Sequence, residues 1–346
     1  MSLDAEFERL SLPLENAFTI SRTTQETAEN VVVRIADDAG NVGVGAAAPS
    51  EHYGETAATV EAVLPALLEV VEEVGDPHQL DRIERRMEET VARNPAARCA
   101  VSIALHDLAA KRADLPLYRY WGLDPDESVP TSYTIGIDTT ERMAEKTETA
   151  VERGYSVLKV KVGTDRDEEI ISTVRAAAPD ATIRVDANEA WSPREAVRKI
   201  DRLAEYDLEF VEQPVSADDP EGMGFVRDRS ALPIAADESC VTLADIPQIA
   251  GNVDIANLKL MKCGGLREAE RMIHAARAHG LEVMLGCMIE TNAAISAAAH
   301  LAPLLDYADL DGSLLLDEDP YEGVPMPDGA IDLAGLDRPG TGARTE

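Results

Sequence analysis

Five charged residues recur along this chain at a nearly fixed interval. Lys161, Asp186, Glu212, Asp237 and Lys259 follow one another after 25, 26, 25 and 22 residues. Each closes or directly follows a short apolar run, in the segments Lys159-Val-Lys161, Asp186-Ala-Asn188, Glu212-Gln-Pro214, Asp237-Glu-Ser239 and Leu258-Lys259. Three carboxylates brought to one place repel each other unless a cation lies among them. Hard oxygen donors with room left for water suit Mg²⁺. A lysine precedes the trio and another follows it, so an amine stands on each side of whatever is held there. That set suits removal of the weakly acidic α-proton of a carboxylate substrate. A divalent cation on the carboxylate oxygens stabilises the enediolate that forms. The base must then be a neutral amine, and a metal ion and a second ammonium nearby both disfavour the charged form. With an amine on each face, a proton can leave from one side and return on the other, which inverts the carbon.

A single acidic residue at a strand end would ordinarily be a solvated charge, since 65 of the 346 residues are Asp or Glu. The periodic series outweighs that reading, and so does the lysine count. The chain has only 7 Lys beside 25 Arg, and Lys159, Lys161, Lys259 and Lys262 are four of the seven. Residues two apart on a strand share a face, which pairs Lys159 with Lys161 and Asp186 with Asn188. Lys262 is three residues past Lys259 and is read as facing elsewhere or lying in a loop. The six histidines (His52, His78, His106, His274, His279, His300) show no ligand spacing and are read as structural.

The elements that must position this series follow from pattern. Residues 1–48 read as three antiparallel strands, with runs at Phe18–Ile20, Val31–Ile35 and Val42–Ala46. The turn chemistry of Asp37-Asp-Ala-Gly-Asn41 joins the last two. Residues 55–113 carry apolar residues at three and four and read as helices. From about residue 130, eight short runs begin 22 to 28 residues apart, at 132–137, 157–162, 183–188, 208–214, 233–239, 255–260, 283–289 and 307–312. Helical stretches such as 142–153, 168–177, 193–205 and 266–278 lie between them. Eight strand–helix units favour a closed parallel barrel, whose active sites lie at the C-terminal strand ends. An open doubly wound sheet would normally show a glycine-rich first turn, and no G-x-G-x-x-G is present. The division read from this is a cap at 1–120, a barrel at 121–318 and a segment at 319–346 returning to the cap.

Net charge is −33, which disfavours nucleic acid as a partner. No run of about 18 apolar residues is present, so a membrane span is not expected. The acidic start, without an apolar leader, is read as cytoplasmic. Cys99, Cys240, Cys263 and Cys287 form no C-x-x-C pair and read as reduced thiols. Acid dispersed along the whole chain suggests a high-salt cytoplasm, where screening weakens self-repulsion. Aromatics are only 4%, so Ala and small aliphatic residues must fill the core. The partner expected is a small molecule, and a homo-oligomer is compatible with the reading.

The motifs Lys-x-Lys, Asp-Ala-Asn, Val-Glu-Gln-Pro, Ala-Asp-Glu-Ser and Asn257-Leu-Lys-Leu-Met-Lys-Cys-Gly-Gly265, in that order, resemble the enolase superfamily in its muconate-lactonizing-enzyme subgroup. The likeness spans nearly the whole chain. It implies an α/β fold, a modified TIM barrel (β/α)7β with an α+β capping domain. It implies Asp186, Glu212 and Asp237 as Mg²⁺ ligands and Lys161 and Lys259 as the acid/base pair. The mandelate-racemase branch uses a histidine after strand seven, where this chain reads Gly286-Cys-Met-Ile-Glu290, which argues against that branch. On strand eight, Asp309 and Asp311 alternate onto one face and would suit a substrate ammonium. Such an Asp-x-Asp looks like the dipeptide epimerases of this subgroup, so the expected substrate is a dipeptide or related carboxylate. Lys159, Asn188 and Cys287 are further substrate-lining candidates. The segment Ser21–Asn30 is read as a loop that closes over the site, with Arg22 a candidate clamp for an acidic side chain. Muconate cycloisomerisation, o-succinylbenzoate synthesis and N-acylamino acid racemisation stay open as other reactions of the subgroup, and so does a non-catalytic binding role.

Overall fold

The computed structural model describes residues 2–345. An antiparallel sheet comes first, in the order β1 (Leu3–Ile20), β2 (Thr23–Asp37), β3 (Val42–Ala47). The first strand is longer than the run at Phe18–Ile20 suggests, because Leu3, Ala5, Phe7, Leu10, Leu12 and Leu14 also turn inward between exposed polar residues. Its register shifts between Pro13 and Phe18, where proline withholds a ladder donor. Ile20 pairs with Thr23, so Ser21 and Arg22 alone turn the hairpin. The loop expected over residues 21–30 is therefore strand from Thr23 onward. That makes the segment reaching over the barrel a stiff ribbon, tied down where Ile137 N donates to Thr19 O at 2.8 Å.

Helices α1 (Ala57–Val74), α2 (Leu80–Thr90) and α3 (Pro95–Arg112) complete this α+β layer, and a short α4 (Leu117–Tyr120) leads out of it. Thr56 and Thr59 cap α1 reciprocally through backbone and side chain. α3 lies against β3 at the glycines of Val42-Gly-Val-Gly45. A Cβ on Gly43 would stand 2.0 Å from Ala104 O, and one on Gly45 2.3 Å from Ala100 O. Small residues let the helix backbone touch the strand, with Ala96, Ala97, Ala100 and Ala104 buried. This is how a chain so poor in aromatics closes its core.

The second layer is a parallel sheet of eight strands: β4 (Tyr133–Ile135), β5 (Val157–Lys161), β6 (Thr182–Asp186), β7 (Leu208–Glu212), β8 (Ile234–Ala236), β9 (Ile255–Lys259), β10 (Glu282–Gly286) and β11 (Tyr307–Asp309). They neighbour one another in sequence order. The ring closes where Ser132 N donates to Ala308 O at 3.1 Å and Thr131 bridges Ala308. Crossovers run through α5 (Thr140–Glu152), α6 (Asp167–Ala177), α7 (Pro193–Leu203), α8 (Pro220–Arg227), α9 (Ile246–Ile249), the pair α10 (Leu260–Cys263) and α11 (Leu266–Ala278), and α12 (Asn292–Ala299). Among the described residues no α-helix follows β11, so the fold is a (β/α)7β barrel with an α+β cap.

Period-two alternation sorts the barrel interior into layers. Phe210, Ala235, Ile255 and Met284 form an apolar plug low in the barrel. Arg184 shares that level, with its guanidinium 5.3 Å from the Phe210 ring centre and 5.1 Å from that of Tyr307. Two residues further along the same strands come Asp186, Glu212, Asp237 and Gly286, and Lys259 stands four beyond Ile255. The plug thus sets the floor on which the charged layer stands.

The C-terminal segment packs back on the first layer. Its strands β12 (Tyr321–Glu322) and β13 (Arg344–Thr345) pair with each other. Leu117 N donates to Gly340 O at 2.7 Å. Asp107 of α3 joins three segments: it accepts from Val44 N (2.8 Å), Thr341 N (2.7 Å) and Lys111 Nζ (2.7 Å), fully buried. Asp107→Ala would leave two buried N–H groups without partners and is expected to cost about 3 kcal/mol, read as a lower urea midpoint.

Candidate active site

Strand register builds the charged layer. Lys161 pairs with Asp186, Asp186 with Glu212, and Gly286 with both Lys259 and Asp309. Each is the last residue of its strand, so all stand at the C-terminal mouth, and Asp237 directly follows β8 there. In a closed ring of eight, β5 and β9 are four strands apart and face each other. Lys161 and Lys259 accordingly rise from opposite walls, with β6, β7 and β8 between them on one side.

Asp186, Glu212 and Asp237 are buried, and each offers an oxygen within 4.8 Å of the others. Burial, then Asp186, push the Glu212 carboxyl up to about 8. Glu212 Oε2 is buried without a hydrogen bond, although Lys159 Nζ lies 2.9 Å away. Asp237 is the reverse case. Burial opposes its charge, but Lys259 and Lys262 outweigh it and hold the carboxyl well below the usual range. An orphaned buried acceptor among three carboxylates fits a hard divalent cation.

The lysines are bound into this set. Lys161 Nζ donates to Asp186 Oδ2 at 2.6 Å, and Lys259 Nζ to Asp237 Oδ2 at 2.7 Å. Lys159 lies deeper. It donates to Asp309 Oδ2 at 2.8 Å and stands 3.2 Å from Asp186. Burial opposes its charge, but Asp309, Glu212 and Asp186 together hold it well above the ordinary lysine value. Gly286 gives Lys259 its lane, since a Cβ there would stand 3.2 Å from Lys259 Cε and 2.9 Å from Asn257 Oδ1.

The loops above the strands are held in unusual backbone conformations. Asn188, Glu189 and Gln213 have φ of 42°, 67° and 36°. Such strain clusters where a fold over-determines a site. Gln213 Oε1 accepts from Asp237 N (2.9 Å) and Ser239 N (3.1 Å), which fixes the turn carrying Asp237. Asn188 N donates to Asp186 Oδ1 at 2.9 Å.

Above this floor is a cavity of about 850 Å³, roofed by the cap and floored by the barrel. Lys159, Lys161, Asn188, Asp237, Lys259, Cys287, Asp309 and Asp311 line it from the barrel, and Arg22, His52 and Tyr53 from the cap. The two strand-eight carboxylates differ. Asp309 is already engaged by Lys159 and by Ser132 Oγ at 2.5 Å. Asp311 accepts from Thr134 N at 2.6 Å and, among the described residues, is in no ion pair.

Arg22 does reach the site, but with carboxylates of its own. Its Nη2 donates to Glu238 Oε1 at 2.6 Å, its Nη1 lies 3.5 Å from Glu189, and Nη1 also donates to Asn188 O at 3.1 Å. Glu238, the residue after Asp237, is therefore part of the roof contact. His52 departs from the structural reading, since its Nε2 stands 3.7 Å from Glu189 Oε2 in the cavity wall. Lys262 departs too. It is buried and turned inward, donating to Asp237 Oδ1 and Asp237 O, both at 2.6 Å, and to Asn257 O at 3.0 Å. The scarcity of lysine already marked it out.

Residues 8–122 match the family described as mandelate racemase / muconate lactonizing enzyme, N-terminal domain, and residues 142–346 match that described as enolase C-terminal domain-like. The chain belongs to this family, within the enolase superfamily. An L-Ala-D/L-Glu epimerase of Bacteroides thetaiotaomicron is 40% identical to it, over 96% of this chain and 85% of the relative. A hydrophobic dipeptide epimerase of Enterococcus faecalis is 39% identical, over 90% of each. A crystal structure of the dipeptide epimerase from Enterococcus faecalis, complexed with Mg and the dipeptide L-Leu-L-Tyr, superposes with a TM-score of 0.93, at 35% identity and full coverage of both chains. Among the described residues of this family member, no helix is long and apolar enough to cross a membrane.

Proposed function

We propose that this protein is a Mg²⁺-dependent dipeptide epimerase, an isomerase that inverts the α-carbon of the C-terminal residue. The observation that carries it is the placement of Lys161 and Lys259 on facing walls with three carboxylates between them. Asp186, Glu212 and Asp237 would hold the metal, and bound Mg²⁺ would supply the positive charge that makes the α-proton acidic. The chain's own residues do the rest. One lysine takes the α-proton as the substrate passes to its enediolate. The other returns a proton to the opposite face. Lys159 stays charged beneath the trio and keeps Asp309 in place. The roof excludes water from the carbanion-like centre.

Asp311, with Asp309 behind it, is the proposed seat of the substrate's ammonium. Asp311→Asn is expected to raise KM for free dipeptides about 10- to 100-fold, the worth of a charged hydrogen bond, and to leave N-acylated analogues much less affected. Asp309→Asn should show the same preference with an added loss in kcat, because it also frees Lys159. Equal losses for free and acylated substrates would remove the ammonium-binding role.

Asn188 and Cys287 are proposed to line the substrate cavity. Arg22 remains a proposed cap contact to substrate, but Glu238 and Glu189 already neutralise it. An acidic side chain would have to compete with Glu189, so neutral side chains meet less resistance. The dispersed acidic charge supports a high-salt cytoplasmic setting in the same reading. The test of the whole is a dipeptide panel in D₂O with Mg²⁺, scored for deuterium at the α-carbon. No uptake from any dipeptide would overturn it.

A further inference from the structure

We propose that Lys262 is a positioning residue that aims Lys259 at the substrate. The proposal rests on the epimerase reading above and adds a group to its machinery. Lys262 lies in the single turn of α10, directly after Lys259, and its side chain folds back under the strand ends. Its Nζ spends all three protons: on Asp237 Oδ1 (2.6 Å), Asp237 O (2.6 Å) and Asn257 O (3.0 Å). It thus ties the end of β8 to β9 two residues before Lys259. The same ammonium fixes the plane of the Asp237 carboxylate. Lys262 holds Oδ1 and Lys259 holds Oδ2, so the two lysines grip opposite oxygens of one acid.

Burying an ammonium is costly, and a well-packed apolar residue often serves stability as well or better. A fully buried lysine in a chain with seven of them calls for a local reason. Without Lys262, Asp237 Oδ1 loses this donor, the Asn257 carbonyl loses one, and the Asp237 carbonyl keeps only Cys240 N at 2.9 Å. The carboxylate then turns, and Lys259 becomes its sole cationic partner on that strand. Lys259 is drawn down toward Asp237 and away from the cavity. Lys161, on the facing wall, is tied to Asp186 and is untouched. The effect is therefore confined to one face of the substrate. Metal affinity should not fall, since removing a positive charge beside a ligand favours a cation electrostatically.

The test uses Lys262→Met in the full chain, with each epimer of an accepted dipeptide incubated separately in D₂O. The face served by Lys259 is defined by the epimer whose exchange Lys259→Ala abolishes. Exchange of that epimer is expected to fall about 100-fold, and exchange of the other to stay within about threefold. Calorimetric titration with Mg²⁺ alone should give a Kd unchanged or lower. Lys262→Gln, which keeps hydrogen-bond donors without charge, should show a smaller loss on the same face, and is read by the same criteria if the Met variant does not fold. Parallel losses on both faces, no loss on either, or weaker Mg²⁺ binding would overturn the proposal. Absence of exchange in the unmodified protein would instead count against the epimerase reading.

Discussion

Lys161→Ala and Lys259→Ala are each expected to abolish net epimerisation, by about 10³-fold or more. Neither should silence the site altogether. The lysine left in place can still remove the α-proton from the epimer that faces it and return a deuteron to the same side. Each variant should therefore exchange one epimer with D₂O and leave the other inert, and the inert epimers should be opposite in the two variants. This follows from the facing walls: β5 and β9 lie four strands apart in a ring of eight. Proton NMR of each epimer in D₂O reads the outcome directly. Full activity in either variant, or loss of the same epimer's exchange in both, would sink the two-sided mechanism.

Metal removal carries the second large effect. A chelator is expected to lower activity about 10³-fold or more, with recovery on adding Mg²⁺. Glu212→Ala should lose as much, without recovery at ordinary Mg²⁺ concentrations. Three buried carboxylates meet in one place, and the hydrogen-bonded lysines serve Asp186 and Asp237 but leave Glu212 Oε2 without a bond. The cost of that acid shows in Glu212, which burial and Asp186 push up to about 8. A cation binding the folded site alone also stabilises it, by about 2.7 kcal/mol at one hundred times its Kd. The unmodified protein should therefore melt higher with Mg²⁺, and Glu212→Ala should show little of that shift. An unmodified protein whose activity and melting are both indifferent to chelation would overturn the metal assignment.

The expected helix at 266–278 coincides with the observed one, and the barrel strands begin within a residue of expectation. The first strand did not read so well. Its apolar face is thin: Leu3, Ala5 and Phe7, then Leu10, Leu12 and Leu14, alternate with exposed polar residues, the phase slips at Glu8-Arg9, and pairing with β2 carries the strand through. The roof was misjudged for its polarity: Thr23–Asn30 is polar enough to pass for a loop, yet it is laddered to β1.

What the sequence by itself determined was the charged layer and its height. Strands alternate every two residues and βα units recur about every 25, so spacing alone puts Lys161, Asp186, Glu212, Asp237 and Lys259 on one rim. Both rules are local, and local rules survive in a string of letters. Only the tertiary structure decided who meets whom across the rim. Arg22 finds Glu238 from 216 positions away, and Lys159 reaches Asp309 from 150. Lys262 swings back under Asp237 instead of facing elsewhere or lying in a loop, because one turn of helix reverses its direction. Those pairings depend on ring closure and on the cap's seating, and no periodicity along the chain records them.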